Sequence, residues 1–191
     1  MGSPVRKIIG GIFVSALILG CAGTRSQSRG GPARAARIQN VAFFPDATDQ
    51  CGPSTLAAIL TFWGKPATPA DLKKEIYLPK LKGTLPMDME AAAARKGLQA
   101  ESRNITLDDL KAELLAGRPT LVYLDHGLSF YPIGHYVVAT GFDDARDGVI
   151  VNSGKHEGEL MRYATFMKQW NRTDRWALIV SSGTAGRERV Q

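Results

Sequence analysis

Gln50-Cys51-Gly52-Pro53-Ser54-Thr55-Leu56-Ala57-Ala58-Ile59-Leu60-Thr61-Phe62-Trp63-Gly64 is the stretch on which the fold turns. Leu56, Ile59, Leu60 and Trp63 recur at i, i+3, i+4 and i+7, the spacing of one buried helix face. Pro53 suits the first turn, where a missing N–H costs nothing, and Gly64 stops the helix. Cys51 stands just before this helix, whose N-terminal amides carry about half a positive charge. Such a place favours thiolate over thiol and can draw the pKa from about 8.5 toward about 3.5–7.5. The same amides can receive an oxyanion. The alternative is an inert cysteine packed behind the helix.

Outward from this helix, Asn40–Pro45 is a short extended segment. Thr68–Leu72 opens a second helix, Pro86–Lys96 forms a third, and Thr106 caps a fourth that runs to Gly117, with Asp109 three places on. Beyond Pro119 the character changes. Thr120–Leu124, His135–Phe142, Gly148–Asn152 and Trp176–Val180 are β-branched or aromatic runs, and a helix over Tyr163–Trp170 interrupts the last two. Asp143–Gly148 has the composition of a hairpin loop. A helical half followed by an antiparallel sheet half is an α+β layout.

His135 opens its strand, with Gly134 leaving room for the ring, and Asn152 ends the next strand of the hairpin. Outer ends of paired antiparallel strands lie side by side, which lets Asn152 hold the imidazole in the useful tautomer. Cys51 as nucleophile, His135 as base and Asn152 as orienter make a complete acyl-transfer set. Taken singly, His135 reads equally as a core histidine and Asn152 as a turn residue.

Asp49-Gln50-Cys51-Gly52-Pro53-Ser54-Thr55-Leu56-Ala57 with Gly134-His135-Tyr136-Val137-Val138-Ala139 resembles the bacteriocin-processing, double-glycine group of papain-like cysteine peptidases. That resemblance covers residues 40–182. It implies a papain-like fold, a helical half with the nucleophile at a helix start packed on an antiparallel sheet, and roles of nucleophile, base and third member for Cys51, His135 and Asn152. The family places a glutamine five or six residues before the cysteine to donate to the oxyanion. Here Asp46 and Pro45 occupy those places, and Gln50 is the nearby amide left for that task. A carboxylate at Asp46 would repel the developing charge, and loss of one oxyanion donor costs about 100- to 1000-fold in turnover.

The ends read differently from the body. Arg6 and Lys7 precede the uncharged run Ile8–Gly20 and then Cys21, the order of a secretory signal. As a helix the run rises only about 20 Å, short of a hydrocarbon core of about 30 Å. Leu17-Ile18-Leu19-Gly20-Cys21 resembles the lipobox of bacterial lipoproteins, which implies a signal peptide over 1–20, lipidation of Cys21 and an envelope location, with Ala22 pointing to the outer membrane facing the periplasm. The alternative is a plain signal peptide. Residues 21–39 read as a lipidated cysteine and flexible tether, 40–182 as the peptidase-like domain, and 183–191 as a disordered tail.

The 191 residues, 44% hydrophobic and 22% charged, suit one domain, and 2 cysteines exclude a disulfide-rich scaffold or a thiolate-rich zinc site. The net charge of +6 comes from the ends, which hold eight of the 24 basic side chains but only Glu188 among the 18 acids. A near-neutral body lacks the basic patch of a nucleic-acid binder. Cys51, His126, His135 and His156 show no close metal-ligand spacing, so no metal and no cofactor are expected. His156 reads as a solvated hairpin residue. Phe130, Tyr131 and Tyr136 line either a cleft or the core. Two readings therefore stand: a lipid-anchored cysteine peptidase acting on a peptide or protein substrate, with cleavage after small residues such as Gly-Gly, and an inactive peptide-binding module of the same fold. Oligomeric state is not legible.

Overall fold

The computed structural model describes residues 34–46, 50–127 and 130–183. The expected signal peptide, Cys21 and the tail beyond Gly183 lie outside the described residues.

Among the described residues five α-helices form: α1 (Cys51–Phe62), α2 (Pro69–Ile76), α3 (Pro86–Arg95), α4 (Leu107–Leu115) and α5 (Tyr163–Trp170). Every residue of α1 from Gly52 to Leu60 is buried, so this helix is apolar all round rather than on one face. Two of the surface helices, α2 and α4, begin where side chains satisfy free amides. Thr68 accepts from the Asp71 amide at 3.1 Å ahead of α2. Thr106 and Asp109 exchange bonds as a capping box ahead of α4.

Seven strands make one antiparallel sheet: β1 (Ala35–Arg37), β2 (Leu98–Asn104), β3 (Thr120–Asp125), β4 (Gly134–Asp143), β5 (Gly148–Ser153), β6 (His156–Arg162) and β7 (Trp176–Ser182). The order is β2-β7-β3-β4-β5-β6. β4 is long enough to pair with β3 over Gly134–Ala139 and with β1 over Gly141–Asp143. Period-two alternation divides its side chains: Tyr136 and Val138 join the core with α1, α2 and α3, whereas Val137 and Ala139 join the core with α4 and α5. Helices therefore cover both faces of the sheet.

The α+β class and the hairpin over Asp144–Asp147 are as the sequence indicates. Three strands are additions. β1 falls within the expected 21–39 tether, so the paired body begins before residue 40. β2 falls within the expected helical half and pairs with β7, so the halves are not separated along the chain. β6 is polar and begins at His156, whose side chain is exposed as expected.

A partly buried ion pair ties α4 to the hairpin and α5. Asp144 Oδ1 accepts from Lys111 Nζ and from Tyr163 Oη, each at 2.7 Å. Lys111 Nζ also sits 4.5 Å from the Tyr163 ring centre. These donors hold the Asp144 carboxyl below the usual carboxylate range, the Lys111 bond first and the Tyr163 bond second. A carboxyl depressed in the fold stabilises it above its unfolded pKa and loses that contribution as pH falls through the folded value. Urea titrations at stepped pH should show unfolding free energy declining below about pH 4, with a shallower decline in Asp144→Asn. An identical slope in the variant would remove Asp144 from the acid response.

Candidate active site

Cys51 is the first residue of α1, half-buried at its start. A Cβ at Gly52 would stand 2.7 Å from Cβ and Oγ1 of Thr84, so only glycine lets the chain at Thr84 cross the helix start this closely. Tyr136 Oη fixes that crossing by donating to the Thr84 carbonyl at 3.0 Å. The segment Leu81–Leu85 becomes one wall of a cleft of about 640 Å³. Tyr131–Gly134 supplies another, and Asp46, Cys51 and His135 also line the cleft. Asp125 shapes the second wall: its Oδ1 accepts from the amides of Gly127 at 2.8 Å and Ile133 at 2.9 Å. Those two bonds hold the Asp125 carboxyl below its ordinary range. Tyr131 and Phe130 are exposed, whereas Tyr136 is buried in the core with its ring 4.5 Å from that of Tyr123.

His135 stands second in β4, after a glycine whose replacement would collide with the Tyr123 hydroxyl. The ligating atoms of Asp46, Cys51 and His135 all lie within 4.8 Å of one another. Cys51 and His135, 84 residues apart in sequence, are thus brought together. The hydrogen bond that the structure gives the ring goes to Ser153 rather than to the expected Asn152. His135 Nε2 lies 3.0 Å from Ser153 Oγ, whereas Asn152 Oδ1 accepts from the Gly158 amide at 2.8 Å. Register explains the difference. Val138 pairs with Asn152 and Ala139 with Val151. Asn152 therefore lies beside Val138, while Ser153, one residue further along β5, turns its side chain the other way and meets the His135 ring at the strand's end. Chain spacing puts both residues near the histidine, and only the register separates them. Gln50 directly precedes α1, and its side chain does not cap the helix.

The electrostatics also depart from the helix-dipole expectation. Burial is the main influence on the Cys51 thiol and pushes its pKa up; Asp46 adds to the rise. The amides of Tyr136, Gly52 and Cys51 itself oppose it without prevailing. Burial, with the His126 ring 4.8 Å away, pushes His135 down to about 4. Burial raises the Asp46 carboxyl. Both shifts favour thiol and neutral imidazole over an ion pair. His126, read from sequence only as a loop residue, is a neighbour of the base.

A thiol at a helix start facing a strand-borne imidazole, in an open cleft between helices and an antiparallel sheet, defines the papain-like peptidase class of fold. Residues 36–178 match the Peptidase_C39 like family, and the chain belongs to it. No curated protein matches the sequence significantly. Solved structures share the fold at low identity. The peptidase domain of Streptococcus ComA, a bi-functional ABC transporter involved in quorum sensing, superposes with a TM-score of 0.60 at 19% identity, covering 74% of this chain and 98% of that one. A putative C39-like peptidase from Bacillus anthracis gives 0.63 at 15%, covering 78% and 98%. A double glycine motif protease from an AMS/PCAT transporter, solved with its leader peptide, gives 0.60 at 17%, covering 76% and 93%.

Because the thiol is neutral, alkylation of Cys51 by iodoacetamide in EDTA should be slow at pH 6 and climb through the alkaline range, with no plateau between about pH 5 and 8. Asp46→Asn removes a charge that disfavours the thiolate, so its curve should move toward lower pH. Rapid, pH-independent labelling at pH 6 would restore the ion pair.

Proposed function

We propose that this protein hydrolyses peptide bonds with Cys51 as nucleophile and His135 as general base. The observation that carries the reading is the convergence of these two side chains in an open cleft. With Nε2 engaged by Ser153, Nδ1 is the nitrogen to receive the thiol proton. As Sγ forms its bond to the scissile carbonyl carbon, the proton passes to His135 and the carbonyl oxygen becomes an oxyanion. Collapse breaks the C–N bond, and His135 returns the proton to the leaving amine. Water, deprotonated by the same imidazole, then cleaves the thioester and restores the thiol. Amides at the start of α1 and Gln50 are the oxyanion donors in this scheme. Ser153 positions the ring, and Asn152 holds the β5–β6 turn.

The finer assignments belong to the same proposal. Anchoring through a lipidated Cys21, an envelope location facing the periplasm, and cleavage after a Gly-Gly pair rest on the lipobox-like run and on the resemblance of the two sequence blocks. A second reading, a peptide-binding module with little turnover, is favoured by Asp46, whose carboxylate would oppose the oxyanion.

Peptides containing Gly-Gly and other small-residue pairs, assayed in EDTA, separate the readings. Cys51→Ala should abolish hydrolysis with an unchanged circular dichroism spectrum, and His135→Ala should cost about as much, because such residues act as a unit. Ser153→Ala should lower kcat about 10-fold with KM little changed and be partly rescued by Ser153→Asn. Asn152→Ala should lower Tm more than kcat. Asp46→Gln should raise kcat by about 10-fold or more by supplying an amide donor. Full turnover by Cys51→Ala would end the peptidase proposal, and absence of turnover in the parent and Asp46→Gln alike would favour the binding module.

A further inference from the structure

We propose that Asp46, Cys51 and His135 form a binding site for one zinc-type divalent cation, occupation of which locks the nucleophile. One carboxylate oxygen, one sulfur and one imidazole nitrogen lie mutually within 4.8 Å. In a tetrahedral zinc site, with metal–ligand bonds of about 2.0–2.3 Å, neighbouring donors stand about 3.3–3.8 Å apart. Each pair must therefore close by no more than about 1.5 Å, within reach of side-chain rotation at Asp46 and Cys51. The open cleft leaves the fourth position to water.

The backbone already holds the three donors. Cys51 begins α1 and His135 lies in β4. The Asp46 amide donates to the Gly154 carbonyl at 3.0 Å, beside Ser153. Ser153 Oγ stands 3.0 Å from Nε2, so a metal taken at Nδ1 would have the outer-shell partner that orients a ligating histidine. A thiolate, an imidazole and one carboxylate match the preference of zinc and cobalt over magnesium or calcium. Binding forms a metal–sulfur bond and releases the thiol proton to solvent, and no electron changes hands. Sulfur so bound is unavailable to attack a carbonyl. Asp46 thus acquires a task that a glutamine in its place would perform less well, since a neutral amide is the weaker ligand.

The inference goes beyond the peptidase reading and its test needs no substrate. The EDTA-treated, buffer-exchanged full chain is titrated with cobalt(II) chloride while the thiolate-to-cobalt charge-transfer absorption is followed in the near ultraviolet. One equivalent should give the band, and zinc chloride should bleach it. Cys51→Ser should lose the band, and carboxymethylated parent protein gives the same answer should that variant not fold. Asp46→Asn should weaken cobalt binding about 10-fold or more, with an unchanged melting curve. A parent chain without the band, a band that survives in Cys51→Ser, or unaltered affinity in Asp46→Asn would overturn the site. Where the metal-free protein hydrolyses peptide, zinc should inhibit it and Asp46→Asn should need about 10-fold more zinc. Hydrolysis indifferent to bound zinc would remove the lock. A cobalt band in a chain whose metal-free parent and Asp46→Gln forms both lack hydrolysis would leave the site standing and count against the peptidase instead.

Discussion

The close crossing of the chain at Thr84 over Gly52 is the constraint on which the cleft depends. A helix buried all round can end only where the protein lets its first turn reach a surface, and that surface is the cleft floor. Thr84 would collide with any side chain at position 52. With glycine there, the Leu81–Leu85 wall draws in, Tyr136 pins it from β4, and Cys51 is left facing the strand that carries His135. The core residue Tyr136 and the reactive pair are therefore parts of one arrangement: burying the aromatic side chain sets how β4 meets α1.

That same burial decides the charge state of the pair. A helix N-terminus contributes a partial charge across a first turn, whereas removing a thiol and an imidazole from water penalises both of their ions. Here desolvation is the larger effect for each group, and Asp46 adds a negative neighbour to the sulfur. In the proposed peptidase scheme activation would then accompany attack, with the proton moving as the carbon–sulfur bond forms, and the placement of His135 would matter more than its resting charge. This raises the importance of Ser153, which fixes the ring through Nε2.

The parts legible in the sequence were those with strong periodicity or full burial. The apolar run of α1, the Thr106–Asp109 cap and the four β-branched strands each stand out because one physical demand dominates the local composition. β2 and β6 do not, since Gln99, Glu101 and Arg103, like Glu157 and Glu159, belong to strands with polar, solvent-facing positions. β1 is three residues long and takes its structure from pairing with β4 rather than from its own composition. At the site, the order cysteine then histidine is visible in one dimension, whereas the choice between Asn152 and Ser153 depends on a one-residue register that only the paired strands define. His126 carries no local signal at all, because its approach to His135 is made across the β3–β4 connection.

Asp46 shows why a single side chain can redirect a site whose framework is unchanged. An amide at its position would offer a hydrogen to an oxygen gaining negative charge, and the peptide transition state would be its natural guest. A carboxylate offers the reverse potential: it disfavours both the thiolate and the oxyanion, yet it completes, with the same sulfur and imidazole, a donor set that suits a cation. A metal ion resolves the conflict among these groups, because its positive charge stabilises at once the carboxylate and the thiolate that repel each other without it. On the proposed readings, acyl transfer and metal binding would compete for one pair of side chains, Cys51 and His135. The ratio of cation to substrate, with no movement of the fold, would then decide between them.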